Sequence, residues 1–119
     1  MSVEKVAIVT AGGSGMGAET ARRLAADGFK LTPAALERAI TPRTRWLVLN
    51  SPNNPTGAVY SADELRALGA VLERHPHVWL MTDEIYEHFV YGDARHASPI
   101  AVTPSLQSRA LLVNGMSKA

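Results

Sequence analysis

The chain has 119 residues, 46% apolar and 19% charged, with a formal net charge of +1 and no cysteine. That length suits one domain with a modest core, and the near-neutral balance gives no electrostatic ground for binding nucleic acid or an anionic membrane. Without thiols, disulfides, cysteine catalysis and cysteine-ligated metals are excluded; without an apolar run near the ~20 residues that span a bilayer, or a signal-peptide pattern ahead of the first strand, a cytoplasmic protein is expected.

Residues 6–10 form a short β-branched run ending at glycines, the pattern of a buried parallel strand. Beyond the glycines Ala18, Ala21, Leu24 and Ala25 recur at helical spacing, with Gly28 as a stop. Thr32 before Pro33 is a helix start, because proline at the first helical position gives up no needed hydrogen bond. That helix turns Leu36 and Ile40 inward and ends before Pro42. Residues 46–50 read as the second strand, left through a proline-rich loop. Ser61 and Glu64 make a capping box for a helix that buries Leu65, Leu68 and Leu72 and stops at His75-Pro76. Residues 78–82 and 110–114 are the third and fourth strands; between them 84–88 is a candidate short helix and 91–104 is mostly irregular. Trp46 and Trp79, in strands, read as core.

Strands alternating with helices predict an α/β fold, a small Rossmann-like domain of about four parallel strands in two or three layers. Right-handed crossovers in the order 1-2-3-4 would place every helix on one face and leave the other apolar and bare. Order 2-1-3-4 would clothe both faces, and a homodimer through the exposed face is the other way out. The pattern leaves both open.

Three segments carry chemistry: SPNNPTG (51–57), DEIY (83–86) and NGMSKA (114–119). Asn50, Asp83 and Asn114 each close a strand, and ligands of open parallel sheets gather outside the carboxyl ends of the strands. From about residue 28 to the end, the chain resembles fold-type-I pyridoxal-phosphate aminotransferases of the aspartate group. That resemblance implies Asn54 and Tyr86 on the phenolic oxygen of the cofactor, and Asp83 on its pyridine nitrogen. It also implies Ser117 near the phosphate, Lys118 as the Schiff-base lysine and proton shuttle, and a cis Asn54–Pro55 peptide. The arginines for phosphate and substrate carboxylate are expected beyond Ala119, so this chain is expected to lack a complete catalytic cycle. Lys118 itself would ordinarily be a solvated terminal charge.

Residues 1–28 resemble a second family. The run Thr10-Ala11-Gly12-Gly13-Ser14-Gly15-Met16-Gly17 resembles the glycine loop of short-chain dehydrogenases, with Ala11 in place of a glycine. This implies that Gly13, Gly15 and Gly17 let the backbone approach a pyrophosphate at a helix start. The family's catalytic Tyr-x-x-x-Lys is absent, since Tyr60, Tyr86 and Tyr91 precede Glu64, Val90 and Arg95 at that spacing. The loop falls at the same sheet edge and could stand in for a phosphate-binding helix start.

Three readings follow. The first is a chimera joined near Gly28, by recombination or design, in which two partial enzymes make one α/β domain. The second is a pyridoxal-phosphate binder or aminotransferase acting through Lys118. The third is a dinucleotide module taking NAD(P), resting on the glycine loop alone. No metal site is expected: His75 and His77 sit around Pro76 on a helix-to-strand loop that carries no carboxylate and read as surface residues, and His88 and His96 are unpaired in sequence.

Overall fold

The computed structural model describes residues 6–9, 30–54 and 56–118, with only the backbone of 6–9. The glycine loop, its expected helix, and the Asn54–Pro55 bond therefore lie outside the described residues. Within them the order is β1 (Val6–Val9), α1 (Pro33–Ala39), β2 (Thr44–Asn50), α2 (Ala62–Glu73), β3 (Trp79–Asp83), α3 (Pro99–Val102), a 3-10 helix (Pro104–Arg109), β4 (Ala110–Val113) and a last 3-10 turn (Met116–Lys118).

Local signals place most of these elements. The Thr32 hydroxyl accepts from the Ala35 N–H at 3.2 Å, and Pro33 opens α1. Both halves of the capping box form at α2: Glu64 N–H donates to Ser61 Oγ, and Ser61 N–H to Glu64 Oε2. The far end of α2 is closed from a distance. Arg109 donates to the carbonyl of Leu72 in the last turn and to those of His75 and Val78 just beyond it, tying the exit of the helix to the start of β3. Desolvation holds the Arg109 pKa below the usual arginine value.

The sheet is parallel with order β1-β2-β3-β4, which excludes the 2-1-3-4 alternative. Leu47 and Leu49 of β2 and Leu80 of β3 are fully buried beneath Leu65, Leu68, Val71 and Leu72 of α2. Leu36 from α1 and Leu106 from the 3-10 helix complete this layer. Each buried leucine contributes about 1.5–3 kcal/mol over its exposed state.

The opposite face is as bare as the simple order requires. Trp46 and Trp79, neighbours in register, tilt against one another with ring centres 5.8 Å apart. Trp79 remains 45% exposed, Leu111 46% and Val113 38%. The expectation that Trp79 is core is thus wrong: strand alternation carries it to the side that no described helix covers.

One further expectation fails. Residues 84–88 form hydrogen-bonded turns rather than a helix, because the Asp83 carboxylate takes the Ile85 N–H and bends the chain as β3 ends. The stretch 91–104 is mostly irregular, as expected, and also holds the short α3, whose four residues are too few to show a period. Pro99 starts it, and its end packs on α2 at Gly69. A Cβ at Gly69 would lie within 3.0 Å of Thr103 side-chain atoms, so that mid-helix glycine permits close approach.

Candidate functional site

At the carboxyl edge of the sheet the three motifs meet in pairs. Asn50 and Asp83 are register partners, and Asn50 Nδ2 donates to the Asp83 carbonyl at 3.1 Å while Ser51 N–H reaches the same oxygen at 3.3 Å. Asn50 Oδ1 in turn accepts from Asn53 Nδ2 and Asn54 N–H. The loop then laces itself: Asn53 Oδ1 takes both the N–H and the hydroxyl of Thr56, and Gly57, at φ +72°, returns its N–H to Asn53 O. A positive φ there favours glycine. The cis bond of this loop among the described residues is Ser51–Pro52.

This bracing presents Asn54, whose Nδ2 donates to the Tyr86 hydroxyl at 2.9 Å. Tyr86 stands edge-on to Phe89, ring centres 5.8 Å apart. Beside them lies an open hollow of about 270 Å³, walled chiefly by Pro52, Asn53, Asn54, Tyr86, Phe89 and Tyr91.

The third motif is tied to the second. Asn114 Nδ2 donates to Glu87 Oε1 at 2.9 Å, and Gly115 sits so close to Ile85 that a Cβ would lie 3.3 Å from Cδ1. Glu84 N–H donates to Val113 O at 2.9 Å. Ser117 and Lys118 follow on the exposed last turn. Asn54 and Tyr86 are thus brought into contact, and Asp83 lies at the same edge. Ser117 and Lys118 reach that edge through their chain neighbours, and neither lines the hollow. Gly13, Gly15 and Gly17 lie outside the described residues.

Sequence reasoning passed over one residue of this edge. Glu84 is 3% exposed. Its Oε1 accepts from Thr82 Oγ1 at 3.1 Å and Ser98 Oγ at 2.7 Å, and its Oε2 faces His96 Nε2 at 3.1 Å. Glu84, Glu87 and His96 hold potential ligand atoms within 4.8 Å of one another, but those carboxylate oxygens already serve Thr82, Ser98, His96 and Asn114. Strand alternation gave the available signal, since Glu84 continues the buried parity of Leu80 and Thr82.

Elsewhere the expectation of isolated histidines is corrected. Glu37 reaches from α1 to His75 Nε2 at 3.0 Å and Arg74 Nη2 at 2.9 Å. These hydrogen bonds, His75 first and Arg74 second, hold the Glu37 carboxyl below its ordinary pKa. His96 is paired with Glu84, and His88 lies 3.5 Å from Glu87.

Comparison with known proteins adds the following. A profile for aminotransferase class I and II matches residues 5–119. The aspartate aminotransferase of Rhizobium meliloti (strain 1021) is 58% identical over 95 residues, which is 80% of this chain and 23% of that protein. The aspartate/prephenate aminotransferase of Cereibacter sphaeroides is 56% identical over 92 residues, 77% of this chain and 23% of its own. In three dimensions the crystal structure of the Rhizobium meliloti aspartate aminotransferase superposes with a TM-score of 0.84 at 43% identity, covering 100% of this chain and 32% of that one. The Thermus thermophilus aspartate aminotransferase with maleate gives 0.78 at 38% identity, covering 99% and 32%. This chain spans about a quarter of the length of these curated relatives.

Proposed function

The chain belongs to the class I and II aminotransferases, and from that premise we propose that it is the cofactor-holding core of a pyridoxal-phosphate enzyme of the aspartate type, with an amino acid as substrate. The observation that carries the proposal is the Asn54–Tyr86 hydrogen bond at 2.9 Å, which joins two motifs at the edge where β3 delivers Asp83.

The donor set suits the cofactor. An amide and a phenol hydroxyl side by side form a polar pair for an anionic ring oxygen, and a carboxylate at a strand end can hold a pyridinium proton. Pyridoxal phosphate supplies the electron sink for amino-acid chemistry when bound. Asn54 and Tyr86 would orient it, Asp83 would keep the ring proton in place, and the Lys118 amine would hold it covalently and move a proton at the substrate Cα. The arginine clamps that the resemblance calls for are not among these residues, so turnover is assigned to the whole family protein and cofactor capture to this piece.

The chimera reading, with a dehydrogenase-like unit over residues 1–28, is less well supported. The family match begins at residue 5, ahead of the glycine loop, and the matches above are all to aminotransferases. The NAD(P) reading rests on Gly13, Gly15 and Gly17 alone.

The test is an absorbance titration with pyridoxal phosphate, then borohydride trapping and peptide mapping, with Lys118→Ala beside the parent chain. Saturable label concentrated on Lys118 and lost in the variant is expected. Label spread evenly over Lys5, Lys30 and Lys118 would sink the proposal.

A further inference from the structure

Glu84 stands between two residues assigned to the cofactor, yet its side chain is committed elsewhere. Thr82 and Glu84 share the helix-covered side of the sheet, while Asp83 falls on the other, by simple alternation. From that side the Glu84 carboxylate gathers Thr82, His96 and Ser98, and its backbone N–H holds Val113 at the end of β4. One residue therefore joins β3, the connection into α3, and the strand that leads to Lys118.

Burying a carboxylate this deeply is costly unless its lone pairs are filled. Here the Thr82 and Ser98 hydroxyls donate to Oε1 and the His96 ring nitrogen faces Oε2, so both oxygens have partners. The geometry also makes the acid hard to replace. His96 Nδ1 is buried with no hydrogen-bond partner. When Nε2 carries the proton it donates to Glu84, and Nδ1 is left as an unfilled acceptor. A glutamine at 84 that turned its amide nitrogen toward Nε2 would shift the proton to Nδ1, leaving a buried donor unpaired.

Resting on the functional reading above, we propose that Glu84 is a positioning residue for the cofactor edge. Clamped from beneath by Thr82, His96 and Ser98, it fixes the turn that sends Tyr86 to Asn54 and holds that turn in register with the strand before Lys118. Its side-chain hydrogen bonds go to Thr82, His96 and Ser98 and not to Asn54 or Tyr86; it acts on Tyr86 through the turn that begins at Ile85.

The experiment uses Glu84→Gln and Ser98→Ala in the 119-residue chain, each studied well below its own melting temperature. The first readout needs no cofactor: the Asn54 side-chain amide resonances in a two-dimensional ¹H–¹⁵N spectrum, which report the hydrogen bond to Tyr86. The second is the apparent affinity for pyridoxal phosphate and the share of trapped label on Lys118. Both variants are expected to shift the Asn54 amide, and Glu84→Gln to weaken capture by roughly tenfold, about one decade of dissociation constant. Ser98→Ala, which leaves the acid in place, is expected to do less on both. An unmoved Asn54 amide in two folded variants would overturn the proposal, whatever the label does. Should the parent chain fail to label Lys118 while the amide shifts as expected, the functional reading falls and the positioning role of Glu84 stands.

Discussion

The two faces of the sheet are made of similar residues and have different fates. Beneath α1, α2 and α3 lie Leu47, Leu49 and Leu80, all within 2% of full burial. On the reverse, Trp46 and Val48 of β2 and Met81 of β3 alternate with them, Leu111 and Val113 of β4 lie beside these in register, and Trp79 is nearly half exposed. Hydrophobicity alone does not tell the faces apart; chain order does, because right-handed crossovers in a 1-2-3-4 sheet all return on one side. Stability should therefore reside on one face and sensitivity to surroundings on the other.

The largest expected effect tests the covered face. Leu68→Ala removes a side chain at 2% exposure and should cost about 2–5 kcal/mol, read as a lower urea midpoint with unchanged slope. A loss below about 1 kcal/mol would mean that the α2 layer is loosely packed, which would dissolve the contrast.

Trp79→Thr probes the other face. It forfeits the tilted contact with Trp46, worth about 0.5–1.5 kcal/mol for an aromatic pair, and keeps a β-branched residue in the strand. The stability change should be well below that of Leu68→Ala. The same variant tests the proposed homodimer through this face: sedimentation of the parent chain should show reversible self-association that the variant weakens. A parent that stays monomeric at all concentrations ends the homodimer proposal, and the open face is then simply solvated.

How much of this was legible in the sequence depended on whether a signal was local. Thr32-Pro33 and Ser61-x-x-Glu64 announced their helices because capping acts within one turn. The strand ends at Asn50 and Asp83 were legible as the site edge, since each apolar run stops at a polar residue. What could not be read depends on distant partners. Glu37 and His75 meet only once α1 packs beside α2, and Arg109 closes a helix that ended more than thirty residues earlier. Glu84 was passed over, because its burial is set by Ser98 and His96 arriving from a connection with no regular pattern. Trp79 was misjudged for a related reason: alternation assigns a residue to a face, but only topology says which face is covered.

The smallest effect concerns the rim of the covered face, where charges rather than leucines join the layers. Glu37 is held below its ordinary pKa by His75 and Arg74. At Glu64 burial pushes the pKa upward, but the Ser61 N–H and Lys30 outweigh it and the net shift is again downward. A carboxylate depressed by folding binds fewer protons in the native state than in the unfolded chain. Its stabilisation is therefore complete above the ordinary glutamate range and is lost as pH falls through the lower native values. Tyr60 has the opposite sign: burial raises its phenol pKa, so its contribution is whole below the ordinary tyrosine range and fades as pH climbs through the native value. Urea midpoints of the parent and Glu37→Gln, compared at neutral pH and near pH 3, isolate the one carboxylate that His75 and Arg74 share. The variant should be less stable than the parent at neutral pH and should close that gap in acid. The difference should be small beside Leu68→Ala, because these ions remain partly in water. A gap that persists unchanged in acid would mean that Glu37 matters through its packing on α2 and not through its charge.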